Sequence, residues 1–177
     1  MSPEAEQPRR CWISIGSNVD RERSIRGGLK DLRDSFGPLQ LSAVYETPAV
    51  GFDGKPFLNL VAGFDSALAV GAIDARLRAI EDAHGRQRGP DKFAPRTLDL
   101  DLLTCGDTVG VIDGVTLPRD EILRYAFVLG PLAEIAPDER HPETGRRYAD
   151  LWAELAPKLE PLGRYPLGLD EFEKVRK

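Results

Sequence analysis

Arg86-Gln87-Arg88-Gly89-Pro90-Asp91-Lys92-Phe93-Ala94-Pro95-Arg96-Thr97-Leu98-Asp99-Leu100-Asp101-Leu102-Leu103 begins as a basic loop broken by Gly and Pro and runs straight into a strand carrying two acids. Period-two alternation puts Leu98, Leu100 and Leu102 on one face and Asp99 and Asp101 together on the other, roughly 7 Å apart. The apolar face sets the register, so the acids are presented as a pair. Like charges this close raise each other's pKa unless a cation lies between them. Mg2+ suits such a pair: it takes oxygen ligands, keeps several waters and is held by one or two carboxylates plus substrate phosphates. Arg86, Arg88, Lys92 and Arg96 stand nearby in sequence to clamp phosphate charge. Alternating Leu and Asp is also how an ordinary half-exposed strand looks, with its acids in solvent, and that reading stands beside the first. Asp is depleted in strands, however, and two on one face make the kind of local conflict that marks functional sites.

The chain has 177 residues, 41% of them hydrophobic and 30% charged, enough for one core. A net charge of −5 argues against a general nucleic-acid binder and makes the basic cluster at 86–96 local, aimed at something small and anionic. Cys11 and Cys105 have no CxxC spacing and the only histidines are His84 and His141. Neither a zinc site nor a disulfide framework is suggested, and both thiols are expected to be buried or inert. Residues 1–9 are polar, contain Pro and lack an apolar stretch, so they read as a disordered leader. No run approaches the ~18 apolar residues of a membrane span, so a cytoplasmic protein with no membrane partner is expected. A single domain is read over residues 10–163, with 164–177 as a loosely attached tail.

Outward from the acidic strand, Trp12 to Gly16 alternates and reads as a first strand ending in a tight turn at Gly16-Ser17-Asn18. Ile25, Leu29, Leu32 and Phe36, spaced 4, 3 and 4, predict a helix stopped by Gly37-Pro38, with Gly27-Gly28 weakening its first turns. Leu39, Leu41, Ala43 and Tyr45 alternate as strand two. Two Pro and two Gly make residues 47–56 a loop, and Phe57 to Phe64 forms strand three. A second helix covers about Val70 to His84, with Ile73, Leu77 and Ile80 on one face and Gly85 as its stop. The order β-α-β-β-α-β up to the acidic strand predicts an α+β, ferredoxin-like split β-α-β fold: a four-stranded antiparallel sheet with two helices on one face. Beyond it the turn dipeptides Gly106-Asp107 and Asp113-Gly114 flank a short strand at Val109 to Ile112. Pro118 to Ile135 reads as a helix broken at Gly130-Pro131, and Tyr148 to Leu159 as a last amphipathic helix.

Six patches in order resemble the 6-hydroxymethyl-7,8-dihydropterin pyrophosphokinase family of folate biosynthesis. They are Ile15-Gly16-Ser17-Asn18, Tyr45-Glu46-Thr47-Pro48, Phe57-Leu58-Asn59, Gly85-Arg86, Pro95-Arg96-Thr97-Leu98-Asp99-Leu100-Asp101, and Phe127-Val128-Leu129 with Pro131-Leu132-Ala133-Glu134-Ile135-Ala136-Pro137. The resemblance implies a monomer that moves the terminal pyrophosphate of ATP onto the pterin hydroxymethyl group and releases AMP. Its partners would be two small molecules, the pterin and ATP as co-substrate, without nucleic acid. The family pattern implies two Mg2+ ions held by Asp99 and Asp101, phosphate contacts from Arg86, Arg88 and Arg96, and a catalytic set of Arg86, Arg96, Asp99 and Asp101. Glu81, Phe93, Arg119 and Tyr125 fall at nucleotide positions. By spacing, Glu81 lies on the polar side of helix two, where a solvated Glu is the plain alternative. On the pterin side the match covers Thr47, Pro48, Val50, Phe57, Asn59 and Phe127. Phe57 and Phe127 would stack on the ring and Asn59 would read its edge; as bare residues the two Phe are ordinary core candidates, whereas an Asn inside an apolar strand needs a reason.

The family usually carries His at 119 and Arg at 125. Arg119 keeps a cation, but Tyr125 cannot make a charge-assisted bidentate contact, and Arg124 would point about 100° away on a helix. Phe93 replaces the usual loop Trp, and Gly89 a frequent basic residue. These departures keep a second reading open, a non-catalytic or repurposed pterin-binding paralogue with altered ATP contacts. An RNA-binding module is a third, but its Lys/Arg-Gly-Phe pattern is absent from this acidic chain.

Overall fold

The computed structural model describes residues 7–48, 55–85 and 97–172. Its first strand, β1 (Arg9–Ser17), is followed by helix α1 (Arg21–Phe36), strands β2 (Gln40–Leu41), β3 (Val44–Thr47) and β4 (Phe57–Ser66), and helix α2 (Val70–Ala83). The acidic strand is β5 (Asp99–Cys105); a hairpin, β6 (Gly110–Ile112) and β7 (Val115–Leu117), comes next, then α3 (Ala126–Ile135), α4 (Tyr148–Leu155) and β8 (Gly163–Tyr165). The main sheet is six-stranded in the order β5-β1-β4-β3-β8, with β2 beside β4, and its pairings are antiparallel. α1 and α2 each cross over one intervening strand. The α+β class expected from the sequence is what the structure shows.

Alternation along β1 explains why both faces of the sheet are covered. Cys11, Ile13 and Ile15 pack with Ile25, Leu29, Leu32, Ile73, Leu77, Leu100 and Leu102 in a core beneath α1 and α2. Trp12 points the other way and joins Val61 and Leu103 in a second core with Val128, Leu129, Leu132, Tyr148 and Leu151 of α3 and α4. Helices therefore lie on both faces: α1 and α2 on one, as the sequence predicted, and the additional C-terminal helices α3 and α4 on the other. The glycine pair in α1 is a close-approach device: a Cβ at Gly28 would stand 2.9 Å from Leu98 Cδ2, so the missing side chain lets α1 settle onto the start of β5.

Several boundaries move. Arg9, expected in the leader, and Arg10, expected ahead of the first strand, both belong to β1, where the Arg9 Nη2 donates to the Leu68 carbonyl at 2.9 Å and Arg10 pairs with Asp65 at 2.9 Å. Strand two is split because the Ser42 hydroxyl enters the ladder and accepts the Val61 N–H at 2.9 Å. The expected long third helix breaks at Arg124-Tyr125, between a 3-10 turn at Asp120–Leu123 and α3, and Pro131 lies inside α3. The stretch after Gly163 is docked: β8 pairs with β3, Leu169 and Phe172 are buried in the first core, and Arg33 donates to the Glu171 carbonyl at 2.7 Å. That segment supplies apolar cover for α1 that local periodicity does not reveal.

Candidate active site

β1 runs between β4 and β5, and the register lines up Tyr45, Asn59, Gly16 and Asp99 in one row across four strands. Thr47 and Phe57 form the row on one side, and Val61, Ser14 and Asp101 the row on the other. Residues in one row point to the same face; here it is the face that carries Trp12 and Val61 and is covered by α3. Strand spacing sets Asn59 and Asp99 roughly 10 Å apart. Between them stands Gly16, whose Cβ, if present, would lie 2.9 Å from Asn59 Oδ1 and 3.6 Å from the Phe57 ring. No side chain divides the two halves of the site at that point. The sequence reading put Gly16 in a turn and missed it, because only strand register shows that it is the floor.

On the β4 side, Asn59 and Thr47 are both buried, and Asn59 Nδ2 donates to Thr47 Oγ1 at 2.6 Å. That bond satisfies a polar side chain that would otherwise be costly in a sheet interior and fixes its plane. Pro48 follows exposed, and Phe57 is half-buried. Phe127, in the first turn of α3, is half-buried and stacks on Tyr125 with centroids 5.0 Å apart and planes 19° from parallel. The Arg124 guanidinium, expected to point away, lies over the Tyr125 ring at 5.3 Å, because residues 124 and 125 sit between two helical segments rather than within one.

On the β5 side, Asp99 and Asp101 are half-exposed while Leu98, Leu100 and Leu102 are buried, as the alternation predicted. The Asp101 carboxyl is pushed up to about 7, first by burial and then by the Asp99 charge, with Glu81 and Glu121 adding to the effect and Arg119 opposing it. Arg119 Nη2 stands 3.5 Å from Asp101 Oδ1 and Arg119 Nε 2.9 Å from Glu121 Oε2. Burial works against the Arg119 charge, yet Asp101, Glu121 and Asp99 together hold its pKa above the ordinary value. Its backbone N–H donates to the Leu103 carbonyl at 2.9 Å, so the residue is pinned to the outer edge of β5.

Glu81 does not follow the solvated alternative. It is 4% exposed, and its Oε2 accepts the backbone N–H of Leu100 at 2.8 Å. β5 is the end strand of the sheet, so this amide faces away from β1; a carboxylate from α2 satisfies it and caps the edge. Leu100 lies between the two aspartates, so Glu81 holds the backbone that aims them. Among the sequence-predicted residues, Val50, Arg86, Arg88, Lys92, Phe93 and Arg96 lie outside the described residues.

The donor set fits a hard cation: two carboxylates on one face, one with an elevated proton affinity and a neighbouring guanidinium as its present counter-charge. Among the described residues no group of three His, Cys, Asp or Glu is arranged to hold a metal. Mg2+ needs no such group, since water and phosphate oxygens complete its shell.

Comparison with known proteins gives the same direction. Residues 12–137 match the family model for 7,8-dihydro-6-hydroxymethylpterin-pyrophosphokinase. A Pseudomonas aeruginosa protein named 2-amino-4-hydroxy-6-hydroxymethyldihydropteridine pyrophosphokinase is 36% identical over 163 residues, covering 89% of this chain and 98% of its own. A Synechocystis protein of the same name is 36% identical over 150 residues, 81% of this chain and 76% of its own. In fold, the crystal structure of Plasmodium falciparum HPPK-DHPS wild type with pterin and p-hydroxybenzoate superposes with a TM-score of 0.71 at 11% identity, over 88% of this chain and 44% of that one. By the family match over residues 12–137 and these two relatives, this chain belongs to the 7,8-dihydro-6-hydroxymethylpterin-pyrophosphokinase family.

Proposed function

We propose that this protein transfers the pyrophosphoryl group of ATP to the hydroxymethyl oxygen of 6-hydroxymethyl-7,8-dihydropterin and releases AMP, a step of folate biosynthesis. The observation that supports it most is the shared row: a ring-reading Asn59 and a phosphate-side Asp99 on one face of the sheet, with only Gly16 between them. Such a floor suits two substrates laid end to end, the acceptor oxygen towards the acids.

In this reading Asn59 and Thr47 read the pterin edge, Phe57 and Phe127 sandwich the ring, and Pro48 and Val50 border it. Asp99 and Asp101 would hold two Mg2+ ions, which supply charge neutralisation for the triphosphate when bound. Arg119 shields the acid pair and turns towards phosphate, Tyr125 supports the Phe127 ring, and Glu81 keeps the β5 backbone in place. Arg86, Arg88, Phe93 and Arg96 are assigned to the triphosphate grip by the family pattern. Fixing donor and acceptor side by side supplies the orientation that a transfer in water lacks, and excluding water directs the group to the alcohol rather than to hydrolysis. In this reading the protein acts as a monomer in the cytoplasm.

Incubation with ATP, Mg2+ and the hydroxymethyldihydropterin is expected to yield AMP, and chelation by EDTA to stop it. Formation of ADP instead, or no AMP, overturns the reading. Gly16→Ala tests the floor: its methyl would press on Asn59 Oδ1 and disturb the bond to Thr47. Pterin affinity, read by fluorescence quenching, is expected to fall about tenfold or more, the scale of one lost buried hydrogen bond, while ATP affinity changes little.

A further inference from the structure

One pair of thiol side chains has no part in the proposed function. Cys11 of β1 and Cys105 of β5 face each other in the register, both fully buried and neither in a disulfide, with their sulfurs 3.3 Å apart. The ladder around them decides whether they can be joined. Gly106 N–H donates to the Arg10 carbonyl at 2.9 Å, so the backbone bond passes outside the pair, and Cys11 and Cys105 occupy a non-hydrogen-bonded position. There the Cα atoms approach to about 4.5 Å and the side chains come closest, within the span of about 4.4–6.8 Å that a disulfide bridges. Closing the gap between the sulfurs to about 2 Å needs a shift of little more than 1 Å at the end of an edge strand.

We propose that Cys11 and Cys105 are a modification site, a disulfide that staples β5 to β1 and forms by exchange with a small-molecule disulfide. Cys105 is the last residue of β5, directly before the tight turn at Gly106, so fraying of that end uncovers it first. Its thiolate attacks one sulfur of the oxidant and expels one small thiol. The Cys11 thiolate then attacks the Cys105 sulfur of the mixed disulfide and expels the second. The balance is two protein thiols oxidised, one small disulfide reduced to two thiols, and the two protein protons passed to the departing thiolates. At rest the pair is a neutral packing contact: the hydrogen bond to Cys105 and burial both hold the Cys11 thiol far above its ordinary pKa. The product ties down, at its far end, the strand that carries Asp99 and Asp101, and it shortens the free chain of the unfolded state across a separation of 94 positions.

The test uses the full folded chain incubated with oxidised glutathione, quenched by alkylation and read by intact mass and peptide mapping. The expected product is lighter by two hydrogens, unalkylated at both cysteines, with the Cys11 and Cys105 peptides linked. Its melting temperature is expected to rise by several degrees, on the scale of other long-loop disulfides, and to return after dithiothreitol. Cys11→Ser and Cys105→Ser are each expected to give no linked peptide and no shift. A persistent glutathione adduct, a disulfide-linked dimer, unreacted thiols in the folded parent, or an oxidised form that melts lower would each overturn the proposal.

Discussion

Asp101→Asn is expected to reduce AMP formation on the order of a thousandfold or more while making the metal-free protein more stable at pH 8. The activity loss follows from removing one of two carboxylates proposed to hold the metal, a contribution of several kcal/mol to a transition state crowded with phosphate charge. The stability gain follows from the carboxyl's raised pKa. In the folded protein Asp101 keeps its proton up to about pH 7, whereas its ordinary value is 3.8. Between those values the folded state binds the extra proton, so this group's penalty to stability builds as pH rises past its ordinary value and is complete above pH 7. Asn removes the penalty. With 36% of the side chain exposed and Arg119 beside it, solvent and counter-charge screen most of the shift, leaving about 1–2 kcal/mol. Denaturant melts of both proteins in EDTA at pH 5 and pH 8 measure it: the gap between the curves is expected to be smaller at pH 5 and to widen at pH 8. A variant less stable than the parent at pH 8 contradicts the account. Mg2+ should then stabilise the parent and leave the variant unmoved.

Arg119→Ala separates two roles in opposite directions. The guanidinium 3.5 Å from Asp101 is the cation that a metal ion would compete with, so its removal is expected to tighten binding of Mn2+, used as a paramagnetic probe, in the absence of nucleotide. The same change removes a charge-assisted contact proposed for phosphate, and ATP affinity is expected to fall about 10- to 100-fold. Arg119→Lys keeps a point charge without the planar fork and should fall between. Metal-free stability is expected to drop by no more than about 1 kcal/mol, because the side chain is 37% exposed and exposed pairs are worth little. If metal and ATP affinities move together, Arg119 is acting through structure rather than charge.

Much of the site was legible in the chain. The alternation of Leu98 to Leu103 placed the two acids on one face and the leucines in the core, and the structure has that arrangement. Asn59 stood out as a polar residue inside an apolar strand, and it is buried with a partner. The solvated alternative for Glu81 failed because helical spacing locates a residue around its own axis without saying what packs there; the end strand brings the Leu100 amide to it. Arg124 was misjudged for a related reason, since a turn between two helical segments does not follow the 100° rule. The two cysteines are 94 positions apart, and their apposition is a property of strand pairing alone.

By itself the sequence determined what local periodicity and residue chemistry control: which stretches become strand or helix, which face of each is apolar, and that a carboxylate pair, a basic loop and an amide-bearing strand are all present. Only the tertiary structure decided what depends on register and on contacts between distant segments. It set Gly16 as the floor between Asn59 and Asp99, covered the second face of the sheet with α3 and α4, and docked Leu169 and Phe172 against α1. Side-chain alternation is written residue by residue, whereas the choice of neighbouring strand follows from burying all the apolar faces at once.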